Sequence, residues 1–301
     1  MSSRRRSHVV AHEPLIGTGV IDAHVHFWNL AALEYPWLRS TPALSRPFLP
    51  EDLESLGTGV LDGVVFVEGN CLPSQNIAEI DFVNALAQRE PRIIGTVAYV
   101  DLCDAPGRRL SFDRLAQRER VVGIRHNIQG QLEGFSLHPE FVRGAQEASA
   151  HGFTFDLCIT AEQLTEVTEL VRRCPDTRFV LDHCGKPAIR DAMFEPWASD
   201  IARLAEHANV SCKLSGLLTE ASPAQRDRAG LLEYVQHVIS CFGATRVMYG
   251  SDWPVVTTSG GEPAWRALAD GFTSGWTPSD RQAFFGDNAI RFYGLRSNAH
   301  P

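Results

Sequence analysis

Short apolar runs rich in β-branched residues alternate with longer amphipathic segments along most of the chain. Runs of this length and composition are typical of strands that are buried on both faces of a sheet. The longer segments repeat apolar residues at helical spacing. The alternation therefore predicts βα units around a parallel sheet. Eight runs are predicted strands: residues 19–26, 63–68, 93–100, 121–126, 153–159, 178–183, 209–214 and 246–251.

Predicted helices fill most of the intervals between these strands. The last one begins at the capping pair Ser279-Asp280 and stops at Gly294, which indicates a helix packed after the eighth strand. Eight such pairs favour closure, so we predict a single α/β domain, a (β/α)8 TIM barrel over residues 17–301, after a flexible tail over residues 1–16. The predicted helices are residues 76–88, 139–150, 161–174, 197–207, 231–242 and 278–293.

Two of the loops that follow predicted strands have an unusual composition. Residues 27–50, after the first strand, contain two tryptophans, a tyrosine, two phenylalanines and four prolines, so we expect this long aromatic loop to fold over a site. Residues 253–264 follow the last strand and include Gly260-Gly261. In a TIM barrel both loops lie on the carboxyl-terminal face, where active sites are built.

Composition narrows the classes of function. The chain has 301 residues with 28 Lys+Arg against 36 Asp+Glu, a formal net charge of −8. The only basic run, Arg4-Arg5-Arg6, lacks aromatic neighbours, so we expect no nucleic-acid partner. No apolar stretch reaches about 18 residues, so we expect no membrane span. The seven cysteines form no C-x-x-C pair and are expected to be reduced thiols in a cytoplasmic protein.

Titratable residues stand at the predicted strand ends. His24 and His26 end the first strand, and at a period of two their imidazoles point to the same side. His183 ends the sixth strand, and Asp252 follows the eighth. Because all strand ends of a barrel converge on one mouth, we expect these side chains to meet. Imidazoles there can bind a divalent metal or a substrate oxygen, and a carboxylate can act as general base on water.

Other strand-end residues have two interpretations each. Arg125 and Lys213 either bind an anionic group or a developing oxyanion, or form ion pairs with nearby carboxylates, and His126 is similar. Asp22 shares the face of His24 and either supports the histidines or contacts ligand, and Asp156 is a further candidate. Four aromatic side chains either fill the core or line an apolar pocket wall: Trp28, Tyr35, Trp37 and Trp253.

Six spaced motifs carry a more specific resemblance. They are IDAHVHFWNL, YPWL, GIRHNIQ, LDHCGKP, VSCKLSGL and MYGSDWPV. With paired histidines on the first strand, His183 on the sixth and Asp252 on the eighth, the chain resembles the amidohydrolase superfamily of (β/α)8 hydrolases. The motifs are similar to its amidohydrolase-2 branch, which contains sugar lactonases of the L-fuconolactonase and L-rhamnonolactonase kind and 2-pyrone-4,6-dicarboxylate lactonases. The resemblance covers nearly the whole chain.

The resemblance implies hydrolysis of a sugar-acid (aldono) lactone, a small-molecule substrate. Asp252 would take a proton from water, while the imidazoles of His24, His26 and His183 would polarise the lactone carbonyl and hold the oxyanion. The substrate-binding residues that it implies are Arg125, His126, Lys213, Asp156, Trp28, Trp37 and Trp253. Pairing of the chain into a homodimer is a further expectation.

Metal content is left open by the sequence. Binuclear members of the superfamily use a lysine or glutamate after the fourth strand and a histidine after the fifth, where this chain has Arg125-His126 and Asp156-Leu157-Cys158, so we expect no binuclear centre. Either no metal is required, or one divalent ion, zinc by preference, is held by His24, His26, Asp252 and His183. The alternatives are a dicarboxylate-lactone hydrolase, a metal-dependent decarboxylase and an inactive barrel that binds a sugar acid.

Overall fold

Eight parallel strands form one sheet whose spatial order follows the chain order. This computed structural model describes residues 19–56 and 61–295, so the tail predicted over residues 1–16 lies outside the described residues. Every predicted run overlaps one strand, which confirms the (β/α)8 TIM barrel. The strands are β1 Val20–Val25, β2 Leu61–Val67, β3 Ile93–Tyr99, β4 Val121–Arg125, β5 Thr154–Leu157, β6 Phe179–Leu181, β7 Val210–Leu214 and β8 Val247–Tyr249.

The barrel closes through backbone hydrogen bonds just beyond β8. The carbonyl of His24 accepts a bond of 2.9 Å from the amide of Asp252, and the carbonyl of Trp253 accepts one of 2.8 Å from the amide of His26. A short parallel bridge joins Val25 to Trp253 at the same place. The segment after β8 is therefore held beside the end of β1.

Helices between the strands cover the outside of the barrel, and each predicted helix overlaps one of them. The segment predicted as one helix over residues 278–293 is two helices, Pro278–Gln282 and Asn288–Tyr293, joined by a π-helical turn over Ala283–Asp287. Within the described residues the helices are α1 Asn76–Ala87, α2 Ala105–Leu115, α3 Pro139–Ala150, α4 Leu164–Arg173, α5 Trp197–Ala205, α6 Leu217–Glu220, α7 Arg228–Phe242, α8 Glu262–Phe272, α9 Pro278–Gln282 and α10 Asn288–Tyr293.

Three helices, α2, α6 and α8, were missed by the periodicity of the sequence, and α6 is only four residues long. In α2 the buried side chains include Arg108, which donates to Glu147 at 2.8 Å, so an ion pair takes the place of part of the apolar stripe. Helix α8 begins inside residues 253–264, which the sequence predicted as a loop. Its first turn, Glu262-Pro263, carries an acidic residue and a proline, which both favour a helix start, but Gly261 precedes it and no side chain caps it.

The long aromatic loop after β1 has its own packed core. Trp28 is fully buried and contacts the rings of Tyr35, Trp37 and Phe48. Its indole N–H donates to the carbonyl of Arg46 at 2.8 Å, and a β-bridge joins Trp28 to Phe48. The predicted aromatic loop is thus a compact layer beside the barrel mouth.

The cysteines are all free thiols. All seven cysteines lie within the described residues and none of them is in a disulfide, with five buried and two partly exposed. No helix within residues 19–56 and 61–295 is long and apolar enough to cross a membrane.

Candidate active site

Three side chains meet where the end of β1 joins the segment after β8. His24 Nε2 lies 3.2 Å from His26 Nε2. Asp252 Oδ1 lies 3.3 Å from His26 Nε2 and 3.7 Å from His24 Nε2. All three residues are buried. These side chains converge because the segment after β8 closes the barrel against β1, where the amide of Asp252 donates a hydrogen bond to the carbonyl of His24. We call this junction the barrel seam.

The hydrogen-bond partner of His26 assigns its tautomer. His26 Nδ1 lies 2.7 Å from the carbonyl oxygen of Val67, at the end of β2. A carbonyl can only accept, so Nδ1 carries the hydrogen and donates it. In the neutral imidazole Nε2 is then an acceptor, and it faces Asp252 and His24.

His183 approaches the same carboxylate from a left-handed turn after β6. His183, Cys184 and Lys186 have φ of 54°, 54° and 51°. Such conformations are costly for residues other than glycine and collect at functional sites. His183 Nε2 lies 4.0 Å from Asp252 Oδ1, and Nδ1 lies 2.9 Å from Ser215 Oγ. Burial lowers the pKa of His183 to about 4, so the ring is neutral at neutral pH.

Gly216 leaves room for this ring. Its φ is +70°, and a Cβ at this position would lie 2.7 Å from Cβ, Cγ and Nδ1 of His183. Both the backbone conformation and the close approach therefore require glycine. The segment after β7 thus shapes the site through Gly216 as well as through the Ser215 hydroxyl.

The surroundings of Asp252 favour its charged form, whereas those of His24 and His183 favour the neutral imidazole. Burial alone would raise the pKa of Asp252, but its interactions with His183 and His26 outweigh burial and hold that pKa below its ordinary range. Burial, with the charge of Lys213 next, lowers the pKa of His24 well below its ordinary value. Asp252 is therefore ionised beside the neutral imidazoles of His24 and His183, and only its ionised form can accept a proton.

A buried ionic layer lies behind His24. Lys213 Nζ lies 2.5 Å from Asp156 Oδ2, 3.0 Å from Asp182 Oδ1 and 3.1 Å from His24 Nδ1. Burial would lower the pKa of Lys213, but the two carboxylates outweigh it and raise the pKa. Tyr293, at the end of α10, donates to Asp156 Oδ2 at 2.9 Å. Lys213 and Asp156 are fully enclosed, so their contacts are with this layer and with His24.

Arg125 is held by two carboxylates. Its Nε donates to Glu68 Oε1 at 2.6 Å, one Nη donates to the carbonyl of Glu68 at 2.6 Å, and the other lies 3.4 Å from Asp182 Oδ2. Of the two interpretations of Arg125, these contacts correspond to the ion pair. Arg125 and Lys213 thus share Asp182, which links the ends of β2, β4, β6 and β7.

His126 lies apart from the cluster. Its ring packs against Tyr99, Phe135 and Phe141, with centroids 5.3, 5.4 and 5.3 Å away, and Nδ1 accepts a hydrogen bond from the amide of Leu102. These contacts give His126 a packing role between β4 and α3.

The tryptophans differ in exposure. Trp28 and Trp253 are buried, and both contact Phe48 within the aromatic layer. Trp37 is only half-buried, and its indole N–H donates to the carbonyl of Gly69 at 2.7 Å.

Asp22 supports the seam. Its Oδ1 accepts hydrogen bonds from the amides of Ser251 and His24, at 2.9 and 3.1 Å. Burial raises the pKa of Asp22 to about 7, and these bonds oppose the rise. Both contacts are with backbone, which corresponds to the supporting role among the two interpretations.

Several residues of the site were not predicted as such. Glu68 follows the second predicted strand as a lone charge after an apolar run, so the strand-end rule could have found it. Tyr293 had no signal, because it reaches Asp156 from 137 residues away in sequence. Lys186 lies in the left-handed turn and donates to Gln129 Oε1. Burial opposes the ammonium, but the charges of Cys158 and Asp252 raise the pKa of Lys186.

The atoms of His24, His26 and Asp252 are spaced to suit one divalent ion. In a tetrahedral zinc site with bonds of about 2.0–2.1 Å, ligand atoms lie about 3.3 Å apart. The three separations here are 3.2, 3.3 and 3.7 Å, between two nitrogens and a carboxylate oxygen. A second group, His24 with Asp182 and His183, also has its ligand atoms within 4.8 Å. It reuses His24, and Asp182 in it is already paired with Lys213 and Arg125.

Known proteins with the same fold match this chain closely in length. The sequence profile of the amidohydrolase family matches residues 21–295. An L-fucono-1,5-lactonase of Burkholderia ambifaria is 36% identical over 285 residues, covering 91% of this chain and 95% of that protein. An L-fucono-1,5-lactonase of Burkholderia multivorans is 31% identical over 295 residues, covering 91% and 96%. The crystal structure of a Burkholderia multivorans amidohydrolase with bound zinc superimposes with a TM-score of 0.82 at 30% identity, covering 92% of this chain and 100% of that one.

Proposed function

The chain belongs to the amidohydrolase family, and we propose that it hydrolyses a sugar lactone to the open-chain sugar acid. One observation carries this proposal: Asp252 Oδ1 lies 3.3, 3.7 and 4.0 Å from nitrogens of His26, His24 and His183 in a buried cluster. Two relatives that match over nine-tenths of the chain are L-fucono-1,5-lactonases, which supports an aldonolactone as the substrate.

Asp252 and His26 orient and activate the attacking water. Two acceptor atoms, Asp252 Oδ1 and His26 Nε2, lie 3.3 Å apart and suit the two hydrogens of one water molecule. As the water oxygen attacks the lactone carbonyl carbon, Asp252 takes one of its protons. General-base assistance of this kind contributes about 10²- to 10⁴-fold to a rate.

His24 and His183 stabilise the charge that develops on the carbonyl oxygen. Their rings contact each other, with centroids 4.5 Å apart, and both Nε2 atoms face Asp252 Oδ1, so a carbonyl oxygen in front of the two Nε2 atoms would meet two imidazoles. Donors that are already in place cost no reorganisation when the oxyanion forms. The tautomer of His26 gives it a different role from the one the sequence suggested, since its Nε2 accepts.

Ring opening returns the proton. The tetrahedral intermediate collapses by breaking the bond between the carbonyl carbon and the ring oxygen. The ring oxygen leaves as an alkoxide and takes the proton that Asp252 removed from water. One water is consumed, one hydroxyl and one carboxylic acid are formed, and the acid ionises and releases a proton to solvent.

A single divalent ion fits the spacing of this site. His24, His26 and Asp252 would hold it, and when bound it would act as a Lewis acid toward the lactone carbonyl. The proton transfers described above involve only side chains of this chain.

Partly exposed groups at the mouth are the best candidates for contact with sugar hydroxyls. Of the chain's two lysines, Lys213 is fully enclosed whereas Lys186 is partly exposed and near enough to Asp252 to feel its charge. Trp37 is the half-buried tryptophan of the aromatic layer and offers a ring face to a sugar. Arg125 is committed to Glu68 and Asp182, which disfavours a dicarboxylate lactone that needs several free cations.

A proton-release assay tests the proposal. L-Fuconolactone, L-rhamnonolactone, D-arabinonolactone, galactonolactone and 2-pyrone-4,6-dicarboxylate are each mixed with enzyme in weak buffer with a pH indicator, with and without a chelator. We expect acid release from at least one aldonolactone above the spontaneous rate, and none from the pyrone. Turnover of the pyrone alone, or of no lactone on the panel, would contradict the proposal.

A further inference from the structure

The environment of Lys213 determines which nitrogen of His24 carries a hydrogen. Lys213 Nζ donates to His24 Nδ1 at 3.1 Å and to Asp156 Oδ2 at 2.5 Å. An ammonium group has three hydrogens and no lone pair, so it can only donate. His24 Nδ1 is therefore the acceptor in this contact and carries no hydrogen.

The other neighbour of His24 Nδ1 does not change this assignment. Asp182 Oδ1 lies 3.2 Å from His24 Nδ1, but it also lies 3.0 Å from Lys213 Nζ, so the ammonium already compensates the charge of this oxygen. If Nδ1 carried a hydrogen, it would face the Lys213 ammonium at 3.1 Å, and two donors would oppose each other where neither is exposed to solvent. An unpaired donor at such depth is costly.

The single hydrogen of neutral His24 is then on Nε2, which points into the cluster. Before substrate binds, its nearest partner is His26 Nε2 at 3.2 Å, the atom that the Val67 contact makes an acceptor. With substrate bound, the His24 N–H is offered to the carbonyl oxygen and the lone pair of His26 Nε2 to the water. Every contact along the series Lys213, His24, His26 and Val67 then pairs one donor with one acceptor. The two ends of the series fix this pattern, because the Lys213 ammonium can only donate and the Val67 carbonyl can only accept.

We propose that Lys213 is a positioning residue that holds His24 in the Nε2–H tautomer, so that the site is built as a hydrogen-bond donor to the lactone oxyanion and not primarily as a metal site. The inference rests on the proposed function for the identity of the oxyanion. A metal ion needs the lone pair of His24 Nε2, so binding it forces the hydrogen onto Nδ1 and breaks the contact with Lys213.

Lys213 therefore weakens metal binding at a site whose spacing suits it. With the ammonium removed, His24 Nδ1–H could donate to Asp182 Oδ1, which lies 3.2 Å away. A carboxylate behind a ligating histidine favours metal binding, and such partners are worth about 10- to 100-fold in affinity. Removing Lys213 should therefore tighten zinc binding while it impairs the donor.

Nitrogen NMR of the unmodified protein tests the tautomer directly. Protein labelled with ¹⁵N-histidine and freed of metal is examined by long-range ¹H–¹⁵N correlation, and His24 is assigned from the spectrum of His24→Gln. We expect His24 with a protonated Nε2 and an unprotonated Nδ1, and His26 with the opposite pattern. A protonated Nδ1 on His24 would overturn the proposal, whatever any variant does.

Zinc affinity tests the role of Lys213. Zinc binding is measured by competition with a chromophoric chelator for wild type, Lys213→Met and Lys186→Met. Both variants lose one positive charge, and they use the chain's two lysines. We expect Lys213→Met to bind zinc about tenfold or more tightly and Lys186→Met to stay within about threefold of wild type. Equal affinities for Lys213→Met and wild type, or equal gains in both variants, would contradict the proposal.

Kinetics separate this inference from the proposed function. On the best aldonolactone, Lys213→Met without metal should lose kcat more than KM, because the donor acts on the transition state, and Lys213→Arg should recover part of the loss. A wild type with no lactonase activity but the expected His24 tautomer and zinc affinities would refute the function alone. An active wild type with a protonated His24 Nδ1 would refute this inference alone.

Discussion

Replacing Gly216 with alanine should displace His183 without unfolding the barrel. Gly216 has φ of 70° and ψ of −7°, and a Cβ there would lie 2.7 Å from three atoms of His183. Ordinary contacts of a Cβ begin at 3.4 Å, so the ring has to retreat by about 0.7 Å, the difference between the two distances. This movement takes His183 Nε2 out of its present position 4.0 Å from Asp252 Oδ1.

Gly216→Ala should lower both the stability and the activity of the protein. A left-handed alanine costs about 1–2 kcal/mol, and forcing a methyl group into a packed site costs about 1–3 kcal/mol more. The total of about 2–5 kcal/mol is at or below the lower end of the stability of a typical folded protein. Misplacing a catalytic group by about 1 Å costs about 10²-fold in rate, so we expect kcat/KM to fall by roughly 30- to 100-fold.

Gly134 provides the matched control. Its φ of 82° and ψ of −3° are close to those of Gly216, but nothing lies within 4 Å of a Cβ placed there. Gly134→Ala should therefore lose about 1–2 kcal/mol of stability and keep kcat/KM within about twofold of wild type.

Unfolding by urea and the proton-release assay are measured on wild type and both variants. A folded Gly216→Ala protein that keeps kcat/KM within about threefold of wild type would contradict the proposed role of His183. So would a Gly134→Ala protein that loses as much activity as Gly216→Ala, since the loss would then come from the backbone and not from His183.

Two further predictions concern buried charges. Burial and then Glu68 raise the pKa of Glu79 to about 8 from 4.5, so the folded state keeps a proton that the unfolded state releases between these values, and stability falls as the pH rises through this range. Glu79→Gln should therefore gain stability relative to wild type by a few kcal/mol between pH 5 and pH 8 in urea unfolding, and a difference that does not change with pH would refute the assignment. Arg125→Met leaves Glu68 and Asp182 without this partner and should lower the free energy of unfolding by about 3–5 kcal/mol; a loss below about 1 kcal/mol would show that the ion pairs contribute little.

The positions of the proposed catalytic residues could be predicted because barrel geometry fixes them. The period of two along β1 aligns His24 with His26, and strand ends converge wherever eight strands close. His183 and Asp252 follow from the same rule. The backbone bonds between Asp252 and His24 then bring them within contact, which is a detail of the seam that no sequence pattern shows.

The partner of each polar group could not be predicted. Lys213 and Arg125 had two interpretations, substrate contact or an ion pair, and the sequence could not name the carboxylates that they contact, Asp156, Asp182 and Glu68. Which of several nearby charges pair depends on side-chain reach across the barrel interior, and not on spacing along the chain. Helix α2 was missed for a similar reason, because a buried ion pair of Arg108 replaces the apolar residues that periodicity detects.

The most direct test of the account is the turnover of Asp252→Asn on the best aldonolactone. Asparagine keeps the size of the side chain but cannot take a proton from water. If Asp252 is the general base, kcat should fall by about 10²- to 10⁴-fold, while circular dichroism and the urea midpoint should show a folded barrel. A folded Asp252→Asn protein whose kcat stays within about tenfold of wild type would contradict the assignment of Asp252 as the base.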